Sequence, residues 1–126
     1  MSKAVLCFGD SLTEGHTGGF CFKMMPYADT LRQLAGDEVA VAEAGVSGEK
    51  TTTMVERLRG ELAARKYDAV VILGGTNDIG TRESAADVVD RLKQMFAQVR
   101  EHGATVVAVT VPQNGFEGEN YEWLEE

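Results

Sequence analysis

A chain of 126 residues is one domain long, and its balance of 44% hydrophobic and 25% charged residues is that of a soluble globular fold. Twelve basic residues against twenty acidic ones leave a net charge of −8, which disfavours nucleic-acid backbones and anionic membrane surfaces as partners. No apolar run approaches the roughly 18 residues that a bilayer span needs, no signal peptide is expected because Met1-Ser2-Lys3 leads straight into a strand pattern, and Cys7 and Cys21 make neither a disulfide framework nor a metal spacing.

The expectation is therefore a single cytoplasmic domain over residues 1–126 with reduced thiols. Ala4-Val5-Leu6-Cys7-Phe8 reads as a buried parallel strand, stopped by Gly9-Asp10-Ser11-Leu12-Thr13-Glu14-Gly15. Pro26 and Gly36 punctuate a helix whose Tyr27, Leu31 and Leu34 share a face. A short strand over 38–42 ends in the loop Glu43-Ala44-Gly45-Val46-Ser47-Gly48. The next helix has Thr53 and Glu56 spaced as a capping box and Met54, Leu58 and Leu62 as its core stripe. Residues 68–73 form the clearest strand, closing on Gly74-Gly75-Thr76-Asn77-Asp78. Ser84 caps a third helix in which Val88, Leu92, Met95, Phe96 and Val99 face one way, and Gly103 terminates it in a left-handed conformation. A fourth strand over 105–111 stops at Pro112.

The order β-α-β-α-β-α-β predicts a parallel sheet with right-handed crossovers. Residues 117–126 carry five glutamates and no basic residue, as an acidic tail or a helix cut short, with Trp123 unburied unless a longer C-terminus packs on it. Met24-Met25 is expected in the core or a pocket wall.

In open α/β sheets ligands bind beyond the carboxyl ends of the strands. Three glycine-bearing loops stand at such ends, which puts Ser11, Gly45 and Asn77 on one edge. A serine there is either a nucleophile or a helix cap. Acyl transfer needs a nucleophile beside donors aimed at the oxygen that becomes negative. Ser11 offers a hydroxyl and its own N–H, Gly45 a second backbone N–H with no side chain in the way, and Asn77 an amide N–H. Asp10 and Asp78 are expected to cap loops or helix N-termini rather than to transfer protons, and Ser47, Thr51, Thr52 and Thr53 to serve turns and caps.

Gly9-Asp10-Ser11-Leu12 with Thr13-Glu14-Gly15, Gly45 within Ala-Gly-Val-Ser-Gly, and Gly74-Gly75-Thr76-Asn77-Asp78 resemble the first three sequence blocks of the SGNH (GDSL-type) hydrolases. The resemblance runs from about residue 4 to residue 115. It implies a flavodoxin-like three-layer α/β/α fold with strand order 2-1-3-4, the family's fifth strand being absent. It also implies cofactor-free serine hydrolysis of esters, thioesters or acetylated sugars, with Ser11 as nucleophile and Gly45 and Asn77 completing the oxyanion hole. The sharp elbow of the α/β-hydrolases is excluded, because Thr13 stands where that motif needs glycine.

The family's fourth block, Asp-x-x-His, has no counterpart here. His102 precedes Gly103 at the amino edge and is expected to be a solvated helix-end residue, while His16 is expected on the pocket rim. The base then lies outside these residues, the activity of the chain is impaired, and the exposed fourth-strand edge invites a homodimer, completion by another polypeptide, or a longer natural chain. A non-catalytic acyl- or carbohydrate-binding module on the same fold is the second reading. A flavin or nucleotide protein is the third, opposed by the lack of a P-loop lysine and by the charges of Asp10 and Glu14.

Overall fold

The computed structural model describes residues 3–16 and 24–112. The expectations for Cys21, the 117–126 tail and Trp123 lie outside them. The elements run β1 (Lys3–Gly9), α1 (Ser11–Glu14), α2 (Tyr27–Ala35), β2 (Val39–Gly45), α3 (Thr51–Ala64), β3 (Ala69–Leu73), α4 (Thr76–Gly80), α5 (Ala85–Glu101) and β4 (Thr105–Ala108). The four strands form one all-parallel sheet in the order β2-β1-β3-β4, with helices around it.

Alternation along the strands builds the layers. Leu6 and Phe8 of β1 and Val70 and Ile72 of β3 meet Met54, Leu58 and Leu62 of α3 and Met95 and Val99 of α5 in the main core. Each such side chain, fully buried, contributes about 1.5–3 kcal/mol. Cys7 and Val41 face the other way, onto Ala28, Tyr27 and Leu31 of α2. Cys7 is a free, buried thiol, and burial pushes its ionisation up. Arg32 of α2 donates Nε–H to the Val41 carbonyl at 2.9 Å, engaging a carbonyl of the edge strand β2.

Several boundaries differ from expectation. β2 runs on to Gly45 because each of its residues finds a β1 partner, up to Gly9 opposite Gly45. β4 stops at Ala108 because β3 offers only Ala69–Leu73 for pairing; Ile72 pairs with Ala108 and accepts Val109 N–H at 2.9 Å. The Thr53–Glu56 capping box does not form. α3 begins at Thr51, Thr53 Oγ1 donates to the Lys50 carbonyl, and Glu56 pairs with Arg59. Leu34 is 82% exposed, so the packed face of α2 ends at Leu31, and Met24 and Met25 lie at the surface rather than in the core. Ser84 does cap α5, accepting Asp87 N–H at 3.1 Å, and Gly103 is left-handed at φ +86°. Val107 on the outer strand and Val109 just past its end are exposed. Among the described residues no helix is long and apolar enough to cross a membrane.

Candidate functional site

The register aligns three strand ends. Gly9 pairs with Gly45 on one side and Leu73 on the other, so Ser11 and Asn77, two and four residues further on, both stand on the carboxyl edge of the sheet.

α1 sits directly on the end of β1. A Cβ on Gly9 would lie 2.2 Å from Thr13 Oγ1 and 2.6 Å from the Leu73 carbonyl, so only glycine lets the helix turn back here. Asp10 caps the turn through Oδ1, which accepts Leu12 N–H at 2.9 Å. Of the two roles open to a serine at this point, the cap is therefore taken by its neighbour. Ser11 is the first helical residue, and its Oγ makes no hydrogen bond among the described residues. Asp10 is wholly buried, with Oδ2 unpartnered among the described residues; burial pushes its carboxyl up, the Leu12 N–H pulls it part of the way back, and the nearby Asp78 charge raises it again.

The β2–α3 loop follows. Gly45 packs under α1, where a Cβ would come within 2.2 Å of Glu14 N and 2.7 Å of the Asp10 carbonyl. Its N–H, expected to face a ligand, donates to Glu43 Oε1 at 2.6 Å. The loop is then fastened at both ends. Val46 N–H donates to the Gly9 carbonyl at 3.1 Å, and Ser47 N–H to the Glu14 carboxylate of α1 at 2.8 Å. On the far side, the Glu49 carbonyl accepts Asn77 Nδ2–H at 2.9 Å. Between these fastenings Gly48 sits at φ +77° with nothing within 4 Å of its would-be Cβ.

Asn77 rides on α4, entered through left-handed Gly75 at φ +113°. Its neighbour Asp78 is wholly buried and caps α3 rather than its own helix, accepting Thr51 N–H at 3.0 Å and the Thr51 hydroxyl at 2.7 Å. Arg91 of α5 reaches Asp78 at 3.4 Å and also bonds Thr51 Oγ1 and Glu83. Burial alone would push the Asp78 carboxyl up; Thr51, Glu83 and Arg91 together hold it below the usual carboxylate range. The capping roles expected of Asp10 and Asp78 are what the structure gives them.

The two histidines do different things. His16 is exposed, its Nε2 3.5 Å from the Glu14 carboxylate. His102 is not simply solvated. It is half-buried at the amino edge, and its Nε2 accepts Tyr67 N–H at 3.0 Å, which places the ring proton on Nδ1. That ties the end of α5 to the entry of β3, away from Ser11.

Sequence reasoning passed over Arg57, Glu49 and Glu43. Arg57 meets the Glu49 carboxylate and two carbonyls, one of them 48 residues away, and Glu43 takes the N–H of Gly45 two residues on; neither is an arrangement that composition or periodicity signals.

Comparison with solved structures places this sheet order and layering among SGNH-type α/β/α hydrolases. Est24, a carbohydrate acetylesterase from Sinorhizobium meliloti, superposes with a TM-score of 0.81 at 23% identity, over 98% of this chain and 70% of its own. TesA follows at 0.79 and 25% identity, over 94% and 66%, and the M. smegmatis aryl esterase at 0.70 and 28%, over 87% and 62%. The chain thus spans between 62% and 70% of the length of these three. No curated protein matches the sequence. The GDSL-like lipase/acylhydrolase family profile matches residues 7–126, and the chain belongs to that family.

Proposed function

We propose that the chain is a serine ester hydrolase for small acyl or acetyl esters, with Ser11 as its nucleophile. The observation that carries the reading is the division of labour at the start of α1: Asp10 does the capping, and the Ser11 hydroxyl, on the ligand-binding edge, has no structural partner among the described residues. Attack by Ser11 Oγ on the ester carbonyl turns its oxygen into an oxyanion, for which aimed donors are needed. Asn77 supplies one through the Nδ2 hydrogen that Glu49 does not take. Ser11 N–H, at the first position of a helix, has no intrahelical acceptor and supplies another.

For the third donor the loop offers two glycines. Gly45 donates to Glu43 and serves only if that carboxylate swings aside. Gly48 lies between the fastening to the Ser11 helix and the fastening to Asn77, so the reading assigns the donor to Gly48 first. The Ser11 proton passes to a base that neither His16, exposed beside Glu14, nor His102, engaged by Tyr67 at the amino edge, provides. Without triad partners such a site keeps about 10³–10⁴-fold acceleration over water.

The reading is supported by the aryl esterase at 28% identity and by family membership. A fluorophosphonate probe and p-nitrophenyl acetate test it. Covalent labelling that disappears in Ser11→Ala supports the hydrolase; wild-type protein that neither labels nor turns over rejects it. The occupied Gly45 donor favours one other reading, a non-catalytic acyl- or carbohydrate-binding module. Saturable binding of acetylated sugars without labelling would establish that one instead.

A further inference from the structure

The guanidinium of Arg57, on α3, uses its fork on three separate pieces of the site. Nε–H donates to both oxygens of the Glu49 carboxylate, at 2.9 and 3.0 Å. Nη1 donates to the Ala44 carbonyl and Nη2 to the Gly9 carbonyl, each at 3.0 Å. The group lies over Phe8, Cζ 4.1 Å from the ring centroid, and its side chain and that of Glu49 are only 22% and 8% exposed. We propose that Arg57 is the positioning residue of this site: it locks the ends of β1 and β2 and, through Glu49, orients the Asn77 amide. The linkage stands on contacts alone; what the oriented amide then does rests on the hydrolase reading above.

Each contact fixes something next to the proposed chemistry. The Gly9 carbonyl belongs to the peptide that leads into Asp10 and Ser11, and the Ala44 carbonyl to the peptide whose other side is the Gly45 N–H. Holding Glu49 by its carboxylate holds its backbone, and the Glu49 carbonyl takes one hydrogen of Asn77 Nδ2. An amide is planar, so fixing one hydrogen fixes the direction of the other. A flipped Asn77 would set Oδ1 against the Glu49 carbonyl, two acceptors face to face, so the same contact also selects which end of the amide faces the loop. Lysine cannot replace this. It is a point charge without a planar fork, unable to meet a carboxylate and two carbonyls in one plane.

The test measures fluorophosphonate labelling of Ser11 in four full-length chains: wild type, Arg57→Lys, Asn77→Ala and the double variant. Loss of one oxyanion donor slows such chemistry about 10²–10³-fold, so Asn77→Ala is expected in that range and Arg57→Lys at roughly 10-fold or more. Because the Glu49 contact acts through Asn77 while the Gly9 and Ala44 contacts do not, Arg57→Lys is expected to slow labelling by a smaller factor in the Asn77→Ala background than in wild type. Arg57→Lys labelling at the wild-type rate, or slowing both backgrounds by the same factor, overturns the proposal.

A second measurement does not need activity. In ¹H–¹⁵N spectra the two Asn77 side-chain protons are expected away from the shifts of a free asparagine amide, one of them slow to exchange with solvent, and to move toward the free values and exchange faster in Arg57→Lys and in Glu49→Gln. An Asn77 pair unchanged in both folded variants overturns the proposal. Should wild-type Ser11 not label at all, the hydrolase reading fails by itself and the Asn77 spectra still decide the linkage. Should Arg57→Lys not fold, Glu49→Gln carries both measurements.

Discussion

Replacing Asp78 by Asn keeps the shape of a wholly buried side chain and removes its charge. The carboxylate accepts the Thr51 N–H and hydroxyl and meets Arg91 at 3.4 Å. Hydrogen bonds to a charged group contribute about 1.5–3 kcal/mol, and removing one partner of a buried ion pair costs about 3–5 kcal/mol. Arg91 keeps Glu83, so the stranded charge is not alone and the lower end applies. We expect a loss of about 2–3 kcal/mol, seen as a fall in Tm on the order of 10 °C. The pH dependence has a definite sign. Against the upward push of burial, Thr51, Glu83 and Arg91 hold this carboxyl below its ordinary value. Its contribution is thus fully present above the unfolded value of about 3.9 and disappears as pH falls through the lower, folded one. Urea denaturation of both proteins at pH 7 and at about pH 3 measures this, the gap shrinking in acid. A loss below about 1 kcal/mol at pH 7, or an undiminished gap in acid, would refute the ion-pair account.

Gly45→Ala forces a methyl into the backbone of α1 and is expected to cost about 2–3 kcal/mol, whereas Gly48→Ala meets open space and bears only the roughly 1–2 kcal/mol of a left-handed φ. Thermal melts rank the pair, and the opposite order would show that α1 does not bear on β2. Arg82 holds φ +60° on the surface, so Arg82→Gly should raise stability by up to about 1 kcal/mol, a small gain because glycine's freedom in the unfolded chain offsets part of the relief; a lower Tm contradicts this. Asp10→Asn keeps Oδ1 for the Leu12 N–H and removes a charge from a carboxyl that burial holds high. With a raised folded value, stability falls as pH rises from the unfolded value through the folded one, and the deficit stays above it. The variant should therefore match or exceed wild-type stability at pH 7, with the gain vanishing below about pH 4. A loss of more than about 1 kcal/mol at pH 7, the usual cost of a lost cap, counts against it.

What could be read from the letters was whatever a few neighbouring residues decide together. Ala4 to Phe8 and Val70 to Leu73 are apolar enough to be strands wherever they are placed, and Gly9, Gly45 and Gly75 mark where the chain must turn or be approached. What escaped was decided across the fold. Thr53 and Glu56 have the spacing of a cap, yet Asp78, 27 residues from Thr51, arrives first and sets the start of α3. The fourth strand is apolar to Val111, but its length is dictated by its partner β3. His102 looked like an ordinary helix end until Tyr67 N–H found it. Gly45 was identifiable as a place of close approach; that Glu43 would claim its N–H was not.

The fastening of the β2–α3 loop separates what holds it from what it presents. Val46, Ser47 and Gly48 turn their faces outward, while the grips are Glu14 on one helix, Arg57 on another and the carboxylate of Glu49. Side chains at 46 and 47 can thus be exchanged without slackening the frame beneath, and on the hydrolase reading they are where a different alcohol or acyl group would be accommodated. Randomising those two positions while leaving the anchors untouched is a direct route to altered selectivity on this scaffold.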